Sequence, residues 1–188
     1  MLYEQGLGVK KNLSIAESYY RQAIRLNNCA AETHLANMYM GAGVDIEPTQ
    51  REVVALISDA ADHGDTTAQW ELATLYMNGR YVKADTIKAV ALFKRAAEQG
   101  CGGAKVSLAM SYLNRFLLND QQEGIKIMRE AASEHFCDAE YNLGLMYEHG
   151  ADVGKDSGEA KTWFERAASD GSDDAQRKLS FSRELSAE

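Results

Sequence analysis

The fold is decided by Asp138-Ala139-Glu140-Tyr141-Asn142-Leu143-Gly144-Leu145-Met146-Tyr147-Glu148-His149-Gly150, whose pattern recurs about every 36 residues along a chain of 188 residues. In each copy an alanine is followed by a leucine, a small residue and a tyrosine. These spacings place the side chains on one face of an α-helix, so each copy predicts an amphipathic first helix. The copies are Ala31, Leu35, Ala36 and Tyr39; Ala68, Leu72, Ala73 and Tyr76; Ala104, Leu108, Ala109 and Tyr112; and Ala139, Leu143, Gly144 and Tyr147.

A second helix is predicted after each first helix. The tyrosine is followed by a connection that usually contains glycine, which permits the positive φ that ends a helix. Eleven residues before each pair of mostly small residues stands a residue able to cap a helix, and this fixed offset predicts a helix start. The capping residues are Asn12, Thr49, Asp85, Asp120 and Asp156. The pairs are Ala23-Ile24, Ala60-Ala61, Ala96-Ala97, Ala131-Ala132 and Ala167-Ala168.

The end of each second helix is marked by a residue four positions after the first member of the pair. Glycine is typical of this position because the helix terminator adopts a left-handed conformation. His135 occupies it in one copy, and since a non-glycine residue is strained there we expect a locally different turn. The five terminators are Asn27, Gly64, Gly100, His135 and Gly171.

Two segments depart from the pattern. Arg115-Phe116-Leu117-Leu118 replaces the glycine-rich connection of one copy, which makes Phe116 and Leu117 candidates for extra packing or for an exposed apolar contact. After Ala175 and Leu179 the chain becomes polar from Ser182 to Glu188. A polar final helix is what a repeat array needs where it ends in water, so a capping helix is predicted.

The net charge of the chain limits the classes of partner that it is expected to bind. The net charge is -8 and no run of lysine or arginine occurs, so the basic footprint of a nucleic-acid or anionic-membrane surface is missing. No stretch of about 18 apolar residues predicts membrane insertion. We expect a neutral or basic protein or peptide partner. The chain starts within a repeat and looks like a fragment, and apolar Leu2, Tyr19 and Ile24 at its open edge predict end-to-end self-association.

The repeat resembles the Sel1-like repeats, relatives of the tetratricopeptide repeats. The resemblance rests on A-x-x-x-L-[GA]-x-x-Y, the G-x-G-V-type connection, [DN]-x-x-x-A and A-A-x-x-G in repeats of 35 to 37 residues. It implies an all-α fold, a right-handed α-solenoid of about five repeats, acting as an adaptor in a family that is mostly bacterial. The implied single array comprises a partial repeat 1–29, repeats 30–65, 66–101, 102–137 and 138–172, and a capping helix 173–188.

The resemblance also implies a concave face lined by the first helices. With alanine as position zero, positions plus three, plus six and plus ten lie opposite the apolar stripe, and Trp70 at plus two lies at the edge. These positions favour an extended peptide held by hydrogen bonds, with apolar Met110 or Leu145 as an exposed anchor. The predicted surface comprises His34, Asn37, Gly41, Trp70, Glu71, Thr74, Asn78, Ser107, Met110, Asn114, Asn142, Leu145 and His149.

Catalytic and metal motifs are not found in the sequence. The histidines lack an H-E-x-x-H pattern, and no P-loop or G-x-S-x-G elbow occurs, so we expect neither enzymatic activity nor a cofactor. Cys29, Cys101 and Cys137 recur at equivalent places too far apart for a disulfide and favour a reducing compartment such as the cytoplasm. Two alternatives remain open, a structural spacer within a longer array and a hydrolase acting on β-lactam or peptidoglycan.

Overall fold

The computed structural model describes residues 2–26, 28–41, 50–114 and 120–185, and every regular element in these ranges is an α-helix. The side chains of residues 29 and 182–185 are not part of that description. The chain forms two compact units, Met1–Gln99 and Gly100–Glu188. Thr49, Asn27, Phe116 and Leu117, which carried predictions, lie outside the described residues.

The described residues of the N-terminal unit form six helices, each packed on the next along the chain. Odd-numbered helices are the first helices of the repeats and even-numbered helices are the second helices. Their bounds are α1 Leu2–Gln5, α2 Leu13–Arg25, α3 Cys29–Met40, α4 Gln50–Asp62, α5 Thr66–Asn78 and α6 Thr86–Glu98.

In its described part the C-terminal unit continues the same alternation with five helices. Successive helices pack on each other, and the first helices α7 and α9 also touch. Their bounds are α7 Gly102–Leu113, α8 Gln121–Ser133, α9 Cys137–His149, α10 Ser157–Ser169 and α11 Asp173–Leu185. Cys101 and Cys137 are half-buried free thiols in this unit.

The predicted stripe forms the core of the first helices. The alanine, leucine and small residue of every copy are buried, and the tyrosines are buried or half-buried. From the second helices, Ile57 and Met128 are completely buried against this stripe. The alternation of a large residue on one helix with alanine on the other lets the two backbones approach, as the pattern predicts.

In the four connections whose capping residue is described, the tyrosine and the capping residue are joined directly. The backbone N–H of the capping residue donates to the carbonyl oxygen of the tyrosine, so the connection is closed at its base. The side chains of the same residues accept from N–H groups in the first turn of the second helix. The bonds run from Asn12 to Tyr3, Asp85 to Tyr76, Asp120 to Tyr112 and Asp156 to Tyr147, at 2.8, 3.0, 3.0 and 2.9 Å.

The tyrosine hydroxyl links neighbouring repeats in two places. Arg21 of α2 donates to the Tyr39 hydroxyl at 2.8 Å, and Arg129 of α8 donates to the Tyr147 hydroxyl at 3.1 Å. In both cases the arginine comes from the second helix of the preceding repeat. Tyrosine therefore contributes a polar bond at the rim of the core in addition to its buried ring.

The connections after the first helices follow the prediction only in part. Gly79 and Gly150 end α5 and α9 with φ of 65° and 71°, a conformation that suits glycine. Gly41 ends α3 differently, because its backbone is extended, with φ of -69° and ψ of 146°. The predicted positive φ is therefore wrong at this glycine. Two residues after Gly79 and Gly150, Tyr81 and Asp152 also adopt positive φ, which the sequence did not indicate.

His135 does not change the turn at the end of α8, so that prediction is wrong. Its φ is 63°, in the left-handed region that Gly64 occupies with a φ of 95° at the end of α4. The N–H groups of His135 and of the residue after it bond to the two alanine carbonyls of the pair, as they do after Gly64. The turn after α8 therefore has the same hydrogen bonds as the turn after α4, and His135 is strained by its positive φ.

The N-terminal edge exposes apolar side chains as predicted, with one exception. Leu2 and Tyr19 are 58% and 57% exposed, and the Tyr19 ring stacks on Tyr3 with centroids 5.8 Å apart. Ile24 is half-buried in the core of the N-terminal unit rather than exposed. Self-association through this edge stays a prediction.

Candidate binding surface

The N-terminal unit brings two of the predicted surface residues together. Asn37 of α3 donates from Nδ2 to Oε1 of Glu71 on α5 at 2.7 Å. These helices are the first helices of consecutive repeats, so position plus six of one lies beside position plus three of the next. Within the described residues, the side-chain oxygen of exposed Asn37 accepts no hydrogen bond, and the bond to Glu71 fixes the orientation of the amide.

Glu71 is held in a half-buried position. Its Oε2 atom is buried and accepts no hydrogen bond from any described residue. Burial raises the pKa of Glu71, the bond from Asn37 acts against that rise, and the charge of Asp65 adds to it. Glu71 is therefore a residue that positions Asn37, at a cost in desolvation of its own carboxylate.

We expect Glu71→Gln to stabilise the protein in a pH-dependent way. A folded-state pKa above the ordinary 4.5 means that the carboxyl destabilises the fold at neutral pH, and that this cost disappears below 4.5. Urea unfolding of variant and wild type should therefore differ most near pH 7 and converge as the pH falls towards 4.5. The same change at exposed Glu98 of α6 controls for the loss of one negative charge. A difference that grows on acidification would contradict this account.

Most of the other predicted surface residues of the N-terminal unit are half-buried or bonded within the protein. His34 is half-buried with its ring stacked on Tyr20, centroids 5.9 Å apart, because the neighbouring second helix α2 reaches that position. The Thr74 hydroxyl donates to the Trp70 carbonyl of its own helix at 2.9 Å, and Trp70 is half-buried. Asn78 is exposed at the end of α5.

The C-terminal unit carries the second group of predicted residues on α7 and α9. Met110 is 48% exposed, whereas Leu145 is half-buried and its predicted exposure is wrong. Helical periodicity had placed Leu145 opposite the buried stripe, but that alone did not make it exposed. Of the two predicted apolar anchors, Met110 is therefore the exposed one.

Polar residues of the same group are partly engaged with their own helices. The Asn142 amide donates to the Asp138 carbonyl at 2.7 Å, and the Ser107 hydroxyl donates to the Gly103 carbonyl at 2.8 Å. Asn114 and His149 are exposed, and His149 Nε2 lies 3.5 Å from a Glu148 carboxylate oxygen. Asn142 thus resembles Asn37 in having its amide donor occupied.

A charged cluster in the C-terminal unit was missed by the sequence analysis. It contains His135, Glu140, Arg166 and Asp170, and Glu140 is completely buried. Burial and the nearby charge of Asp170 raise the pKa of Glu140, while Arg166 and His135 oppose the rise. The members are up to 35 residues apart, so a search for local motifs could not find them. An alignment of the repeats would have shown that one copy alone has an acidic residue, Glu140 and Asp170, at both of two equivalent positions.

A family model for the Sel1 repeat matches residues 1–28, 66–101 and 137–172. The solved Sel1 repeat protein from Oxalobacter formigenes superposes with a TM-score of 0.80 at 28% identity, covering 95% of this chain and 73% of that protein. The predicted fold class, an all-α solenoid of two-helix repeats, is confirmed. Within the described ranges no helix has the length and apolar character to cross a bilayer.

Curated relatives come from fungi and mammals. Chitin synthase regulatory factor 3 of Schizosaccharomyces pombe is 28% identical over 95% of this chain and 20% of its own length. DAP3-binding cell death enhancer 1 of Rattus norvegicus is 33% identical over 49% of this chain and 18% of its own length. The chain thus spans about a fifth of the length of these relatives, and a bacterial source is not supported.

Proposed function

Because this chain belongs to the Sel1 repeat family, we propose that it is a non-enzymatic adaptor that binds a peptide or partner protein through its first helices. The relatives it matches are named as a regulatory factor and as a binding protein, roles that depend on contacts with other proteins. We also propose that residues 1–188 form a single array of repeats.

The bond between Asn37 and Glu71 is the observation that carries this proposal. An exposed amide that already donates one N–H to a neighbouring carboxylate holds its carbonyl oxygen in a fixed orientation. An extended peptide has one backbone N–H per residue to donate, and a pre-oriented acceptor loses little entropy on binding it. Asn142, held by the Asp138 carbonyl, is suited to the same role in the C-terminal unit.

Hydrogen bonds to a peptide backbone do not distinguish side chains. Exposed Met110 adds a contact for an apolar side chain of the ligand. Exposed methionine is flexible and polarizable, so it adapts to differently shaped apolar side chains. The net charge of -8 favours a neutral or basic partner over an acidic one. We therefore propose an extended segment with an apolar side chain and no excess of acidic residues as the ligand.

Asn37→Ala is expected to weaken binding of such a segment about tenfold, since it removes one net hydrogen bond and releases Glu71. A random linear peptide library is selected on the wild type, and the affinity of the selected peptides is measured by fluorescence anisotropy. Gln22→Ala removes an exposed amide from the second helix α2 and should leave affinity unchanged. Met110→Ala, in the other unit, should weaken only peptides that carry an apolar side chain.

Two results would contradict the proposal. Equal loss of affinity in the Asn37 and Gln22 variants would show that the first-helix face is not the binding surface. Failure to select any peptide, together with no partner crosslinked in a lysate of the source organism, would favour the structural spacer.

A further inference from the structure

Each of the four complete repeats contains a pair of facing side chains, one from its first helix and one from the end of its second helix. One is the residue after the alanine that opens the first-helix stripe, and the other is the residue before the terminator of the following second helix. We name these the junction pairs. They are Glu32 with His63, Gln69 with Gln99, Lys105 with Glu134, and Glu140 with Asp170.

Three junction pairs are chemically complementary. His63 Nδ1 lies 3.5 Å from Oε2 of Glu32, and Gln99 donates from Nε2 to Oε1 of Gln69 at 2.9 Å. Lys105 donates from Nζ to the carboxylate of Glu134. An acid faces a base in two of these junctions and an amide faces an amide in the third. The position therefore accepts several chemistries, provided that the two partners match.

The fourth junction pair places two carboxylates together. Glu140 is 0% exposed, and within the described residues neither of its oxygens accepts a hydrogen bond. Arg166 Nε lies 3.4 Å from Oε1 of Glu140, but the guanidinium also stacks over Trp163 with its Cζ atom 4.6 Å from the ring centroid. A buried carboxylate of this kind needs a positive partner.

His135 supplies the third member of this group. Its Nδ1 atom lies 2.8 Å from Oδ2 of Asp170. The same residue holds a φ of 63° at a position where Gly64, Gly100 and Gly171 adopt positive φ without a side chain. Backbone strain retained at one copy of a repeat points to a use for the side chain that causes it.

We propose that His135, Glu140 and Asp170 bind a divalent transition-metal ion, with Zn²⁺ as the best fit. One ligand atom from each residue lies within 4.8 Å of the other two, so a small inward shift would bring all three to the 2.0–2.2 Å bonds of zinc. An imidazole among the ligands favours zinc over Mg²⁺ and Ca²⁺. Two carboxylates neutralise the ion, and water completes the coordination. The sequence had predicted no metal, because these ligands are not close in sequence.

Metal binding is tested by thermal unfolding and by spectroscopy of the whole chain. Zn²⁺ added to protein stripped with a chelator should raise the thermal midpoint by about 3 °C or more, and Mg²⁺ should not. Co²⁺ in place of Zn²⁺ should give the visible absorption bands of a tetrahedral or five-coordinate site. An unchanged midpoint with no visible bands would overturn the proposal.

Two variants separate this site from adventitious binding at the surface. His135→Gly restores the residue of the sister repeats, so it should raise stability in chelator by relieving strain, and abolish the response to Zn²⁺. Glu140→Gln with Asp170→Gln copies the amide pair of Gln69 and Gln99, and should fold without binding the metal. His63→Gln removes an exposed histidine from another junction and should retain the response. Retention of the response by either of the first two variants would place the ion elsewhere.

Discussion

Replacing Leu143 with alanine is expected to lower the free energy of unfolding of the C-terminal unit by about 2–5 kcal/mol. Leu143 is 0% exposed and lies in a cluster with Ile125 of α8 and Met146 of α9. Truncation removes apolar contacts and leaves a cavity that surrounding helices cannot fill completely. The same substitution at Leu145, two residues further along α9 and half-buried, should cost clearly less.

Urea unfolding followed by tryptophan fluorescence measures this effect in the right part of the molecule. Trp163 packs against the cluster that contains Leu143, whereas Trp70 belongs to the other unit, so a Trp70→Phe background reports the C-terminal unit alone. Equal losses for Leu143→Ala and Leu145→Ala would contradict the assignment of the buried stripe.

Gly144→Val is expected to destabilise the C-terminal unit by about 3 kcal/mol. A Cβ atom at Gly144 would lie 2.5 Å from Cε1 of Phe164 on α10, well inside van der Waals contact. Phe164 is itself buried and its ring packs against Tyr141 with centroids 5.5 Å apart, so it has little room to move. The helices α9 and α10 would have to separate.

The clash can be tested by a compensating substitution. Phe164→Leu shortens the side chain that faces Gly144, so the double variant should recover part of the loss, and the interaction energy is read from a double-mutant cycle. Gly154→Val introduces the same side chain where an added Cβ meets nothing within 4 Å, and should change stability by about 0.5 kcal/mol or less. Purely additive effects of the two core substitutions would show that the ring is not the obstacle.

The sequence predicts the helices well because their determinants are local. The stripe of α9 from Ala139 to Tyr147 is read from spacing, and the start of α10 from Asp156, whose side chain caps it. Neither requires knowledge of distant residues. His135 was misjudged because its terminating bonds are made by the backbone and tolerate a strained residue.

The candidate surface was predictable only to the level of a helix face. Helical geometry placed Asn37 and Glu71 on the same side of their helices, and the structure joins them. It failed at Leu145, which is half-buried, and at His34, because the contact with Tyr20 of α2 depends on packing rather than on periodicity. The cluster of Glu140 and Asp170 was missed because its members meet only after two helices have packed.

The bond between the cap N–H and the tyrosine carbonyl explains how repeats of unequal length remain in phase. The stripe alanines are separated by 37, 36, 35 and 36 residues, and the cap follows its tyrosine by 10, 9, 8 and 9 residues in the same order. All the variation in repeat length therefore lies between the tyrosine and the cap. The bond closes this connection in the four copies whose cap is described, whereas the longest connection ends at Thr49, outside the described residues. Loops of different length can therefore stand between the tyrosine and the cap while the helices of the array keep their register.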